Sequence, residues 1–336
     1  TYCDEYKIAN ISVQAWGGEP LLEKNKIIAL TKFITPQKTK VHYSIETNAT
    51  LLTNDVIEEL YKNHIGIGIS IDGDRKCHDL QRTFVSGKGS YDTVKKNLLQ
   101  AQRYYKNKIG TITTITKQTA VHIEKIIEHL VLDLHISNIK LNFVHASTYT
   151  HGQNQCLNTQ EIADTELRIL YKIIELQERG YDVMEHNIFI KLKNLLFREY
   201  ADICLSCGCC GGKKMIVFDM DGNIYPCELT DDASFVIGSI YKKESLIEQI
   251  KMTIDKDKAF FKMKKAVECE KCYWKFFCRG GCTVRALSEK RQMEVIDIDH
   301  IECAINQVLY PALMELVLRK PHIVNQMLGE DLLVDE

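Results

Sequence analysis

Five short runs rich in β-branched residues, each followed by a helical pattern, constrain this chain more than any other feature. They fall at 11–16, 41–47, 67–72, 110–116 and 138–144. Between them Ile123, Ile126, Ile127 and Leu130 recur at i, i+3, i+4 and i+7, and Val56 with Leu60 and Leu167 with Leu170 and Ile174 keep helical spacing. Strand onsets spaced by roughly a βαβ unit predict a parallel sheet whose site lies at the C-terminal ends of the strands. A further helix is expected at about 159–178. With five strands visible, a first strand upstream of residue 1 would complete six units. After Gly180 the pattern changes: a helical connector precedes a cysteine-rich stretch, and 215–218 and 224–225 flank Asp221-Gly222, a hairpin signal. The segment from Ile301 to about Leu328 reads as helix, interrupted near Pro311 and Pro321.

Cysteine is the compositional anomaly. Of 13 in the 336 residues, ten fall from Cys204 to Cys303. A chain with 45% hydrophobic residues can build a core without disulfides, so close thiol spacing reads as metal binding in a reducing, cytoplasmic setting. The formal net charge of −2 gives no field that calls for nucleic acid or an anionic membrane. No apolar run approaches the roughly 18 residues of a membrane span, and no signal peptide is visible. Cys269, Cys272, Cys278 and Cys282 form C-x2-C-x5-C-x3-C, with Cys204, Cys207, Cys227 and Cys303 nearby and Cys209 and Cys210 in reserve. Eight thiolates suit two centres, and spacing alone leaves zinc and iron–sulfur clusters both open.

Trp16-Gly17-Gly18-Glu19-Pro20 follows the first run, and 47–52 (TNATLL) follows the second. Ser70-Ile71-Asp72-Gly73 follows the third, and His78-Asp79, Arg82 and Gly87-Lys88-Gly89-Ser90 come after it. This ordered set resembles the radical S-adenosylmethionine (SAM) superfamily, and the downstream cysteines resemble its SPASM domain. The resemblance implies an α/β fold: a partial (β/α)6 TIM-type barrel over 1–186, a helical connector at 187–203, a SPASM domain at 204–310 and a helical tail at 311–336. It implies SAM binding by Gly17, Gly18, Glu19 and Pro20, with Asn48, Ser70, Asp72 and Arg82 holding the rest of the molecule. An Arg suits the carboxylate and acceptor oxygens suit the ammonium.

The same resemblance gives one auxiliary [4Fe-4S] cluster to Cys204, Cys207, Cys227 and Cys282, and a second to Cys269, Cys272, Cys278 and Cys303. Cys209 or Cys210 could stand in for Cys207, while Cys77 and Cys156 remain as free structural thiols. The C-x3-C-x2-C motif for the SAM-cleaving cluster is absent from the sequence, so that cluster is expected upstream of residue 1. Where sulfatase-activating members carry a basic Asp after the cysteine of Gly-x4-Cys, this chain has Glu228 after Cys227. The run 272–278 (CYWKFFC) is similar to that of clostridial maturases of Cys-rich ribosomal peptides. The expected activity is thioether formation on such a precursor peptide, with a flavodoxin or ferredoxin-like electron donor. Oxidation of Cys or Ser to formylglycine is the alternative, and a zinc-bound, non-catalytic peptide-binding module is a reading from a different class.

Overall fold

The structure, a computed structural model, describes residues 7–33, 38–145, 153–198, 211–212, 214–230, 233–255, 267–288 and 298–329. Six strands pair in parallel in sequence order: β1 (Asn10–Ala15), β2 (Lys40–Thr47), β3 (Ile65–Ser70), β4 (Gly110–Ile115), β5 (Asn138–Phe143) and β6 (Met184–Glu185). The connections carry α1 (Lys24–Phe33), α2 (Asn54–Lys62), α3 (Arg75–Gln81), α4 (Tyr91–Tyr105), α5 (Ile123–Glu128) and α6 (Thr159–Glu178). Because the strand order never reverses, right-handed crossovers put every helix on one side, which curls the sheet into an open barrel. Five strands lie where the periodicity places them. The sixth strand of this sheet, Met184–Glu185, is an addition to the sequence reading, too short to leave a pattern.

Register decides what each face of the sheet carries. Ile45 pairs with Ile67, Thr111 with Ile139, and Thr113 with Leu141, and all are buried beneath the helices. Burying each such aliphatic side chain contributes roughly 1.5–3 kcal/mol. The alternate residues point to the helix-free side. These are Gln14, Ser44, Glu46, Gly66, Gly68, Ser70, Ile112, Thr114, Asn138, Lys140 and Asn142, and none of them is buried. The barrel therefore has a polar lumen. The inward residue nearest the C-terminal end of the first five strands is Gln14, Glu46, Ser70, Thr114 and Asn142, a ring of five polar side chains.

Beyond the barrel come α7 (His186–Phe197) and an antiparallel sheet of β7 (Val217–Phe218), β8 (Asn223–Tyr225) and β9 (Gly238–Ser239). The β7–β8 hairpin turns at Asp221-Gly222 as expected, and β9 is an addition to the sequence reading. They are followed by α8 (Leu246–Asp255), single turns at Val267–Glu270 and Lys275–Cys278, α9 (Thr283–Ser288), α10 (His300–Arg319) and α11 (Pro321–Leu328).

Two expectations fail at α10. The helix runs straight through Pro311 and breaks only at Pro321, which sits at the first turn of α11, where its missing N–H costs nothing. The expected domain line between 310 and 311 thus cuts a continuous helix. At 20 residues α10 is also long and apolar enough to cross a membrane by length and composition, contrary to the reading of the sequence. In the structure its buried Ile305, Leu309, Leu313 and Leu316 pack with the barrel core, chiefly along α6.

A polar seam lies under α10. Lys191 of α7 donates to Glu302 and to Asn306 Oδ1 (2.6 Å), and its ammonium sits 5.6 Å from the Tyr310 ring centre. Burial opposes the charge on Glu302, but Lys191 and Arg285 overcome it and hold the carboxyl down at about 2. Glu185 caps α7, accepting from Ile188 N (2.8 Å) and Leu141 N (3.0 Å), and burial raises its carboxyl to about 7.

Candidate active site and thiol cavity

The loops after β1, β2 and β3 meet at one edge of the sheet because neighbouring strands lie about 4.8 Å apart. Gly17 and Gly18 take φ of +83° and +40°, and nothing lies within 4 Å of where a Cβ would stand. Among the described residues nothing donates a hydrogen bond to either carbonyl, so both are available to a cation. Glu19 shapes this bend. Its carboxylate accepts from Leu21 N (3.1 Å), Thr47 Oγ1 (2.6 Å) and Asn48 N (2.8 Å), which ties the β1 loop to the end of β2. Pro20 opens the single helical turn that follows. Asn48 Oδ1 accepts from Thr50 N (2.9 Å) and Thr50 Oγ1 (2.7 Å). Ala49 is left-handed at φ 58°, unusual for a residue with a Cβ, and Asn97 Nδ2 anchors its carbonyl at 2.8 Å.

Ser70 ends β3 facing the lumen, and its hydroxyl makes no hydrogen bond among the described residues. Asp72 behaves differently from the ligand expected of it. The strand begins earlier than expected, at Ile65, and stops at Ser70, so Asp72 turns inward and is 1% exposed. Its carboxylate accepts from Arg82 Nε (2.6 Å), Gln81 Nε2 (3.0 Å), Thr114 N (2.9 Å) and Arg82 Nη2 (3.3 Å). With four donors and no exposed edge, Asp72 aims Arg82 instead of meeting a ligand. Gly73 permits this turn, since a Cβ there would come within 2.7 Å of Ile126 Cγ1.

Beneath the pair His78 is fully buried. Its Nδ1 accepts from Asp72 N (3.2 Å), so the proton sits on Nε2, which donates to Ser90 Oγ (2.9 Å), and Ser90 donates to Arg82 O (2.9 Å). Burial lowers the His78 pKa, in keeping with a neutral ring. Sequence reasoning missed Gln81 and Thr114, and it named Thr47, His78 and Ser90 only within motifs, without these roles. All of them act through partners that only the fold brings near.

Cys269, Cys272, Cys278 and Cys303 border one cavity of about 130 Å3, which Trp274, Asp299, Asn306 and Gln307 also line. Three thiols come from the 269–278 loop and the fourth from the first turn of α10. Among the described residues no three His, Cys, Asp or Glu side chains converge closely enough to share one ion. A four-cysteine zinc site needs sulfurs about 3.8 Å apart, on bonds of about 2.3 Å. A multi-iron cluster needs thiols spread around a cavity, and this donor set fits one. Burial raises the thiols of Cys278, Cys282 and Cys303. Trp274 stacks on Tyr310 at 5.3 Å, fixing the loop to α10.

Cys227 and Cys282 pack against the same small apolar nucleus of Val284 and Ala286. The turn at Cys282 is held by Asp299, which accepts from Cys282 N (2.7 Å) and from Arg285 Nη2 (2.7 Å). Cys204 and Cys207, expected beside them, lie outside the described residues, as do Cys209 and Cys210. Glu228 follows Cys227, and its Oε2 is buried with no hydrogen-bond partner among the described residues. Cys77 is a buried thiol that burial pushes up to about 12, and among the described residues neither it nor Cys156 forms a disulfide.

Comparison with known proteins agrees with this geometry. Residues 4–130 match the model of the radical SAM superfamily. A cysteine-type anaerobic sulfatase-maturating enzyme of Clostridium novyi is 26% identical over 273 residues, covering 79% of this chain and 71% of that protein. The fold is shared with native anSMEcpe with bound AdoMet and Cp18Cys peptide, at TM-score 0.79 and 20% identity over 92% of this chain and 87% of that one. Streptococcus suis SuiB bound to precursor peptide SuiA superposes at TM-score 0.57 and 19% identity, over 85% of this chain and 64% of that one.

The chain carries a radical SAM domain on a partial (β/α) barrel, as expected from its strand-end motifs. It is a radical SAM enzyme related to the anaerobic sulfatase-maturating enzymes, and its chemistry uses SAM and iron–sulfur clusters. The reading as a non-catalytic module is not retained.

Proposed function

We propose that this enzyme acts on a cysteine-rich, ribosomally made precursor peptide and joins a Cys sulfur to a peptide carbon as a thioether. The observation that carries the reading is the ring of four thiols, from Cys269 to Cys303, around one cavity on a chain whose barrel is of the radical SAM type. Two auxiliary [4Fe-4S] clusters follow, one on Cys269, Cys272, Cys278 and Cys303, the other on Cys204, Cys207, Cys227 and Cys282. Peptide ligands in the solved neighbours support a peptide as partner. A flavodoxin or ferredoxin-like protein supplies electrons.

Forming the S–C bond removes two hydrogens from the peptide, one as a hydrogen atom and one as a proton with an electron left behind. Bound SAM and the clusters supply the acceptors for the hydrogen atom and the electron. This chain supplies the rest. The Gly17 and Gly18 carbonyls hold the ammonium of SAM, in a bend that Glu19 and Pro20 fix. Arg82, aimed by Asp72, faces the SAM carboxylate, while Ser70 and Asn48 bind the remaining polar atoms. Glu228 takes the proton, and its unpartnered, buried Oε2 supports that role.

The test is anaerobic incubation of the reconstituted enzyme with SAM, reductant and a Cys-rich peptide encoded beside its gene. Mass spectrometry should find two hydrogens lost and one alkylatable thiol gone for each bond formed. A product in which an aldehyde oxygen replaces the Cys sulfur would establish formylglycine formation instead. That second reading is favoured by the relation to sulfatase maturases and by the position of Glu228 directly after Cys227. An unchanged peptide with no 5′-deoxyadenosine released would overturn both.

A further inference from the structure

Two adjacent amides on the second turn of α10, Asn306 and Gln307, border the four-thiol cavity, and their orientation is informative. An Asn side chain can present either its oxygen or its NH2 to a neighbour, and its partners decide which. Here Lys191 decides it. An ammonium only donates, and it lies 2.6 Å from Asn306 Oδ1, so the NH2 must face the opposite way. There Nδ2 donates to Glu302 Oε1 (3.1 Å), and the amide lines the cavity that Cys278 also borders. Gln307 Nε2 donates to Cys272 Sγ at 3.6 Å, and Cys303 borders the same cavity. One thiol thus has an amide donor and a second amide borders the same cavity, both on one helical turn that the Lys191–Glu302–Arg285 seam holds in place.

We infer that Asn306 and Gln307 are positioning residues that set the reduction potential of the cluster held by Cys269, Cys272, Cys278 and Cys303. The inference rests on the proposed function, which places a cluster there. An N–H donor on a ligating sulfur stabilises the form with more negative charge. Since the reduced cluster carries one more electron than the oxidised one, each donor favours reduction. The two amides make this centre easier to reduce than it would be without them, which suits a recipient of the electron left on the substrate. Lys191 acts through Asn306 by holding its oxygen away from the thiol.

The experiment is a redox titration of the reconstituted enzyme followed by electron paramagnetic resonance, with iron and sulfide counted in each sample. Gln307→Leu lies at the surface and leaves the core intact, and Asn306→Leu is the second variant. Each should keep wild-type iron while one of the two auxiliary-cluster waves moves to lower potential and the other stays. A tenfold weaker reduction equilibrium corresponds to about 59 mV for one electron, which is the size of shift expected. Full iron with both waves unmoved in Gln307→Leu would overturn the inference. If Asn306→Leu loses iron, Gln307→Leu alone decides the outcome. A wild-type protein that takes up no iron at this site would overturn the proposed function, and this inference with it, which is a different result from a loaded site with an unshifted wave.

Discussion

Replacing Glu166 with Gln should stabilise the protein, by an amount that grows with pH. Glu166 lies on α6 under α10, close enough to Glu185, Lys191 and Glu302 to feel all three charges. Burial, and after it the charge of Glu185, pushes its carboxyl from the ordinary 4.5 up to about 8. Between those values the folded protein keeps a proton that the unfolded chain releases. Stability therefore falls as pH rises, by about 1.4 kcal/mol per pH unit, and levels off near the folded value. The full span is about 5 kcal/mol. Gln matches the neutral acid in shape and never ionises, so the variant loses this slope. Unfolding wild type and Glu166→Gln side by side should give a gain of about 1 kcal/mol near pH 5.5, growing by about 3 kcal/mol towards pH 8.5. A gain that is the same at both ends would refute the reasoning, because it would mean that Glu166 is ionised in the folded state.

Three further outcomes follow from the geometry. Cys272→Ala and Cys278→Ala should lower bound iron and soluble yield while Cys156→Ala leaves both unchanged, and equal iron in all three would contradict the ligand assignment. Because burial raises the thiols of Cys278, Cys282 and Cys303, those groups are protonated at neutral pH and must release protons to bind metal. Iron uptake at limiting iron should therefore increase from about pH 7 to about pH 8.5, and uptake independent of pH would count against thiolate ligation. Asp72→Asn should cost about 2 kcal/mol, less than a fully buried pair because the Arg82 side chain is 26% exposed, and should weaken SAM binding by releasing Arg82. Unchanged SAM affinity, measured by calorimetry, would separate Arg82 from the cofactor.

Much of the fold is legible in local pattern. Strands β1 to β5 and helix α6 can be placed because each turns one face more towards the interior than the other, and a period of two or of 3.6 survives in the sequence. The strand-end motifs and the cysteine spacing are equally local, since a tight turn or a clustered ligand set must be written in consecutive residues. Strand β6 is two residues long and carries no period at all. Pro311 is misleading for a related reason: it breaks a helix only where packing is weak, and α10 is clamped along α6.

The roles of the charged residues are settled by tertiary structure alone. Asp72 has the sequence context of a ligand, yet the end of β3 turns it under Arg82, where four donors consume it. As sequence, Glu166, Glu185, Lys191 and Glu302 are ordinary charges in or beside helical patterns. They become a buried seam because α10, more than 100 residues further along the chain, lies down on the barrel edge. Sequence records which residues are apolar and how they recur, and that chooses the elements. A buried charge depends on distance, on desolvation and on the sign of its neighbours, and those exist only once the elements have packed.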